Sequence, residues 1–176
     1  IDPAELLKKY GSDTIRYSLL RCSVFEDSDF SEEILIERNN NELADKLGNL
    51  VSRVSTLAEK NGIQKTPNSL IKKLNNKKIE EYFDSYNLDK ALNEIFAFID
   101  ICNEYIQDKK PWETKDKKVL YELVESISEI SRLLSPFIPD SAEKISQVFK
   151  TGKIKKSPII FKKIFDVDMK SRTRIS

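Results

Sequence analysis

The apolar residues Leu43, Leu47, Leu50, Val54 and Leu57 recur at alternating intervals of four and three. At about 3.6 residues per turn, that rhythm places all five on one stripe of a long helix, and a leucine stripe in water has to be covered by partner helices. Asn49 and Arg53, four apart, stack one turn above the other on the polar flank of the stripe. There, two groups able to hydrogen-bond bases or phosphates face outward together. A polar pair beside an apolar stripe is usually the solvated edge of a packed helix; the alternative is a reading head carried on a rigid rod. Residues elsewhere in the chain bear on that choice.

Four glycines and six prolines in 176 residues, with Leu, Ile, Lys and Glu abundant, favour long helices over a sandwich or barrel, so the expected class is all-α. A hydrophobic share of 39% suffices for one core, and one domain is the default count. Charged residues reach 34%, yet 30 Lys+Arg nearly balance 29 Asp+Glu. The net charge of +1 gives no global attraction to nucleic acid or membrane, so any basic partner surface has to be local.

The absence of histidine excludes a histidine-dependent triad, a His-ligated metal and a His general base. Two lone cysteines, Cys22 and Cys102, cannot close a structural zinc site. Each lies in an apolar helical pattern, which points to buried thiols in a reducing compartment rather than a disulfide. No apolar run approaches the roughly 20 residues of a membrane span, and the N-terminus shows no signal-peptide pattern, so the cytoplasm is the expected location. The start at Ile1-Asp2-Pro3, without an initiator methionine, suggests a piece of something longer.

Along the chain, Asp2 as N-cap, Pro3 in the first helical position and Gly11 as a stop predict a helix over about 3–10. Ser12 is expected to cap a second helix. Its apolar face would hold Ile15, Leu19 and Cys22, broadened by Tyr17 and Leu20, with Arg16 and Arg21 turned away. An acidic loop, Glu26 to Asp29, leads to a Ser31 cap. From there the helical pattern continues to Lys60, with Gly62 as its stop. Residues 63–74 read as a connection, and Lys72, Lys73, Lys77 and Lys78 form a basic cluster that suits either a phosphate backbone or plain solvation.

A second long helix is expected over 88–107, with Leu92, Ile95, Ile99, Cys102 and Ile106 on its stripe. Pro111 stops it, leaving Trp112, the only tryptophan, just beyond its end. That ring either caps the core or offers a platform on which a splayed base stacks. A third helix over 115–134 carries Leu120, Leu123, Ile127, Ile130 and Leu134. Ser135 to Pro139 then breaks the helical pattern, with Phe137 and Ile138 as apolar anchors and Asp140 as the expected cap of a last helix to Phe149. Three stripes joined by short connections describe an antiparallel helix bundle. The Lys-rich tail, 151–176, is expected to dock as a strand or short helix, or to be disordered at its end.

The segments IDPAELLKKYGSDTIRYSLLR, DSDFSEE, NNELADKLGNLVSR, NEYIQDKKPWE and LLSPFIPDSAEKI are collinear over about residues 1–150. Together they resemble the region that follows the catalytic domain of methionyl-tRNA synthetases, which are class I aminoacyl-tRNA synthetases. The first and last are shared with other class I enzymes, whereas GNLVSR combined with KKPW is specific to the methionyl branch. The resemblance implies a stem-contact linker over 1–30, an anticodon-binding helix bundle over 31–150 and a tail over 151–176. It also implies that Asn49, Arg53 and Trp112, with Pro111 shaping the turn, recognise the CAU anticodon of tRNA(Met), the wobble C in particular. A bidentate Arg and a stacked Trp would each contribute about 1 to 3 kcal/mol.

Two departures stand out. Asp45 occupies a position where the family often has a second Asn, so no contact is carried over to it. The HIGH and KMSKS nucleotide motifs are absent, so this chain is expected to be a non-catalytic part of a methionine-tRNA ligase. It would bind no cofactor itself, while ATP, with Mg, would be used by the parent's catalytic domain. Its expected partners are the tRNA(Met) anticodon stem-loop and that domain, with no membrane and no DNA. Two rival readings remain: the equivalent bundle of another class I synthetase, such as the leucyl enzyme, and a helical protein-interaction module. The latter predicts that Asn49, Arg53 and Trp112 do not converge, whereas anticodon reading requires all three on one exposed surface.

Overall fold

The computed structural model describes residues 3–25, 30–150 and 153–165, and every regular element among them is helical. The expected Asp2 cap, the acidic loop over 26–29 and the end of the tail lie outside the described residues. α1 (Pro3–Tyr10) and α2 (Ser12–Leu20) form a hairpin about Gly11, whose φ of +79° only glycine adopts without strain. Gly11 is itself the cap, so Ser12 is the first helical residue and not the N-cap expected of it.

The buried side of α2 also differs from the expected stripe. Asp13, Thr14, Tyr17 and Ser18 face inward, while Leu19 is 51% exposed and Ile15 only half-buried. Polar satisfaction decides this orientation. The Tyr17 hydroxyl donates to Glu42, and Arg21 Nε meets the same carboxylate at 2.9 Å. Arg21 Nη1 reaches Asn93 Oδ1, and the guanidinium lies over the Phe96 ring. This charge-assisted network holds α2 more firmly than one leucine does, although Asp13 Oδ1 and Ser18 Oγ on the same inward face have no hydrogen-bond partner among the described residues. Neither cysteine is in a disulfide; Cys102 is buried and its pKa is pushed up to about 12, chiefly by burial, whereas Cys22 is only half-buried.

The long helix of the central stripe is an unbroken rod in three pieces: α3 (Glu32–Arg38), a π-helical run (Asn39–Gly48) and α4 (Asn49–Asn61). Ser31 caps it by accepting from the Ile34 amide at 3.2 Å, and Gly62, at φ +76°, ends it. Leu43, Leu47, Leu50 and Val54 are fully buried, as the stripe predicts. The π winding was not expected. Its wide i to i+5 turns bring Asn39, 2% exposed, inward alongside Leu43, Ala44 and Leu47. Inside, Asn39 Oδ1 accepts from Thr14 Oγ1 at 3.2 Å and its amide donates to the Lys162 carbonyl at 2.9 Å.

α6 (Leu88–Lys109) and α8 (Lys117–Leu134) supply the other two stripes, and every residue named on them is fully buried. α8 packs against α4, α6 and α9 (Pro139–Lys150), with Phe137 and Ile138 buried at the break before α9. Pro139 takes the first position of α9, where its fixed φ and missing N–H cost nothing, so Asp140 lies in the first turn instead of capping it. α5 (Asn76–Asp84), packed on α6, escaped the sequence reading because its core anchor is little more than Ile79 and half-buried Phe83. Of the basic cluster, Lys78 pairs with Glu94 at 2.6 Å and Lys77 approaches Glu81 at 4.0 Å.

Two irregular segments are held by side chains. In the connection before α5, Glu122 Oε1 accepts from both the amide and the hydroxyl of Ser69 at 2.7 Å, while the Tyr105 hydroxyl donates to Oε2. The described tail, 153–165, takes the extended alternative and runs antiparallel to the rod. Ser157 N donates to Ser55 Oγ at 2.9 Å, Phe161 packs on Gly48, Lys163 pairs with Asp45 at 2.8 Å, and Asn40 brackets the Ile164 backbone at 2.8 Å on both sides.

Glu122→Ala is expected to cost about 1 to 2 kcal/mol, since it removes the buried carboxylate that accepts from the Ser69 amide and hydroxyl and from the Tyr105 hydroxyl. Burial alone would raise the Glu122 pKa, but the hydrogen bonds from Tyr105 and Ser69 outweigh it and hold it below the ordinary 4.5. The carboxylate's contribution is therefore complete above about pH 4.5 and is lost as pH falls through the lowered folded value. Urea unfolding of wild type and Glu122→Gln should show a stability gap that narrows from about pH 7 to about pH 3.

Candidate nucleic-acid interface

α4 starts at Asn49, immediately after the π run, so the rod changes its winding where the candidate polar pair begins. π winding is rare in proteins and concentrates at functional sites. Asn49 is exposed, and its side chain has no hydrogen-bond partner among the described residues. Arg53, one turn on, is half-buried. Its guanidinium carbon lies 5.5 Å from the centre of the Trp112 ring, in cation–π contact. On its other flank the Gln107 amide, with oxygen turned inward, accepts from Nη1 at 3.1 Å and Nη2 at 3.2 Å.

Trp112 reaches Arg53 because of an abrupt turn. α6 ends at Lys110, at φ +45°, and a single helical turn, α7 (Pro111–Thr114), follows before Lys115 at φ +53°. Pro111 occupies the first position of α7 and is buried, fixing the turn from inside, while Trp112 remains 39% exposed. Left-handed lysines on both sides are strained conformations of the kind that persist where surrounding packing over-determines them. The ring is thus neither a core cap nor a free platform; the guanidinium covers part of it and solvent reaches the rest. Asn49, Arg53 and Trp112 belong to one side of the molecule, with Arg53 touching Trp112 and standing one turn from Asn49.

Beside Arg53 lies an open depression of about 670 Å³ lined by Asp100, Asn103, Glu104, Gln107 and Asp108 of α6. These five fall at i, i+3, i+4, i+7 and i+8, a polar stripe on a different face from the leucine and isoleucine stripe of the same helix. The pattern was readable in the sequence, but that it faces Arg53 was not. Asp100 pairs with Lys46 at 2.7 Å, and Asn103 donates to the Lys46 carbonyl at 3.2 Å, fixing α6 against the π run. The depression sets three carboxylates against one guanidinium, so it disfavours phosphate, yet with Asn103 and Gln107 it offers acceptors for exocyclic amines and donors for base oxygens. Asp45 is held by Lys163 of the tail.

The family model for the anticodon-binding domain of tRNA ligases matches residues 68–173, more than half of the chain. The chain belongs to that family. A second family model, for class I tRNA synthetases (M), matches residues 1–55. The methionine–tRNA ligase of Caldanaerobacter subterraneus subsp. tengcongensis is 41% identical, in a match covering 82% of this chain and 26% of the relative. That of Thermotoga maritima is 35% identical with the same coverage. The chain thus spans about a quarter of the length of the curated relatives it matches. Free-state methionyl-tRNA synthetase from Mycobacterium tuberculosis shares the fold with a TM-score of 0.83 at 22% identity, over 94% of this chain and 41% of that one. The same enzyme in complex with methionyl-adenylate aligns with a TM-score of 0.77 at 26% identity, over 84% of this chain and 33% of that one. The all-α bundle and the methionyl branch of the anticodon-binding family are as the sequence motifs implied.

Arg53→Ala should uncover the face of Trp112 and shift its fluorescence to longer wavelength, at a cost in stability below about 1 kcal/mol. Because no other tryptophan contributes, an unchanged emission spectrum would mean that the guanidinium does not cover the ring.

Proposed function

We propose that this chain reads the CAU anticodon of tRNA(Met) for a methionine-tRNA ligase. The observation that carries the proposal is the contact of the Arg53 guanidinium with a half-exposed Trp112, one turn from an unpartnered Asn49. A splayed wobble cytosine stacks on the exposed part of the Trp112 ring, while Arg53 and Asn49 donate to its Watson–Crick edge. Gln107, Pro111 and the strained turn around α7 hold the donor and the platform in place before RNA arrives, which lowers the ordering cost of binding. Membership of the anticodon-binding family and the methionyl relatives support this reading.

The parent enzyme would join methionine to its tRNA with ATP and Mg in a catalytic domain bearing the HIGH and KMSKS motifs, which this sequence lacks. That domain is the second partner we assign, together with a stem-contact role for residues 1–30. We place the protein in the cytoplasm, because two cysteines outside any disulfide suit a reducing compartment; among the described residues no helix is long and apolar enough to cross a membrane.

Titration with anticodon stem-loops carrying CAU or a changed wobble base, at one stated salt concentration, tests the reading. Wild type should prefer CAU, and Arg53→Ala and Trp112→Ala should each lose about 1 to 3 kcal/mol of binding together with most of that preference. Binding indifferent both to the wobble base and to the two substitutions would overturn it.

A further inference from the structure

The sequence from Lys144 to Phe165 contains no aspartate or glutamate, in a chain whose charges otherwise almost cancel. The fold turns this stretch into a fixed surface. Ile154, Ser157 and Phe161 of the tail are buried, and Ser55, Asn39 and Asn40 hold its backbone against the rod. With those anchors inward, Lys155, Lys156 and Lys162 point to solvent from an extended backbone. Lys144 of α9 stands beside them, and Lys144, Lys153, Lys155 and Lys156 line one open depression of about 470 Å³. Among the described residues, no carboxylate is within ion-pair distance of Lys144, Lys155, Lys156 or Lys162. Lys144 and Lys162 also line the neighbouring cavity of about 420 Å³, but Asp13 and Asp140 share it and Lys9 there is paired with Glu32 at 2.8 Å, so the cationic track ends at these two lysines.

We infer that this lysine track is a second RNA contact, which takes the phosphate backbone of a double-helical stem without reading its sequence. The inference rests on the anticodon reading proposed above, because the strap carrying the lysines lies on the same rod as Asn49 and Arg53. Charge segregation favours a polyanion: the depression beside Arg53 is acidic and the tail lysines are not offset by any acid of their own segment. Lysine is a strongly hydrated point charge on a flexible stem, suited to phosphates and not to base edges. A membrane surface is the poorer fit. The exposed apolar residues of the strap, Ile159 and Phe165, stand apart, and the strap forms no amphipathic helix with which to enter a lipid interface.

The test compares Lys155→Ala/Lys156→Ala with wild type and with a charge-matched control, Lys65→Ala/Lys90→Ala, whose lysines are exposed on other segments. Two RNA probes are titrated over about 50 to 200 mM salt: an anticodon stem-loop and a hairpin of the same stem with a scrambled loop. If the track holds phosphates, the strap variant weakens both RNAs alike, lowers the salt slope by about 2, and so loses about tenfold less affinity than wild type over that range, while the control stays at wild type. Its preference for CAU over a changed wobble base remains intact. Slopes and affinities equal to wild type would overturn the inference. So would a strap variant that binds both RNAs normally but loses binding to vesicles containing phosphatidylserine, which would assign the track to lipid. Failure of the anticodon reading has a different signature: wild type then shows no wobble preference, whatever the lysines do.

Discussion

The rod from Glu32 to Asn61 can bury its leucines only if something covers it on more than one side, and the rest of the molecule is arranged to do so. α8 and α6 cover the stripe of Leu43, Leu47, Leu50 and Val54, each such side chain contributing about 1.5 to 3 kcal/mol by leaving water. The hairpin of α1 and α2 closes the N-terminal end through Tyr17 and Arg21, and the tail closes another flank. Because the same rod presents Asn49 and Arg53, core packing and the candidate reading head are one rigid element. A packed interior is bistable rather than continuously deformable, so the polar pair inherits the stiffness of the core beneath it.

The tail also packs on the rod at Gly48. A methyl group there would stand 3.1 Å from the Leu43 carbonyl, close enough that the last turn of the π run would have to give, while its 3.7 Å from the Phe161 ring is ordinary contact. Phe161 in turn aligns the strap so that Lys163 meets Asp45 and Asn40 grips Ile164. Asp45, which reads from the sequence as a departure that would repel RNA, is instead neutralised within the protein. Its role is to hold the tail, and the charge it offers solvent is offset.

The long stripes were plain in the sequence because leucine and isoleucine at spacings of three and four leave a helix one way to face the core. Ser31, Gly11, Gly62 and Pro111 marked element ends for reasons that reside in one or two residues each. What escaped is governed by pairs distant in the chain. The orientation of α2 is set by Tyr17 and Arg21 meeting Glu42 and Asn93, and no periodicity within α2 announces partners from the rod and α6. The π winding likewise answers to Asn39 and Asn40 bonding a tail some 120 residues away. Asn49, Arg53, Trp112 and Pro111 were all visible as candidates. The α6 stripe that faces Arg53 became part of the site only once the helices were placed, since Gln107 resembles any solvated residue until a guanidinium lies beside it.

Charge is distributed against the naive expectation for an RNA-binding protein, and that distribution has a physical logic. Near Arg53 the walls carry Glu104 and Asp108, which no ion pair among the described residues offsets, beside Asn103, Gln107 and an Asp100 paired with Lys46, so a phosphate entering the depression meets repulsion while a base meets donors and acceptors. A site that excludes the backbone admits a nucleotide only in the orientation that leads with its base. Attraction strong enough to capture a polyanion has to come from elsewhere, and Lys144, Lys155, Lys156 and Lys162 form one group of cations in a segment without an acid of its own. Backbone contacts position an RNA and base contacts specify it. Separating the two kinds of contact keeps non-specific phosphate binding from competing at the reading head. In a chain of net charge +1, sorting its charges in this way supplies both attraction and selectivity.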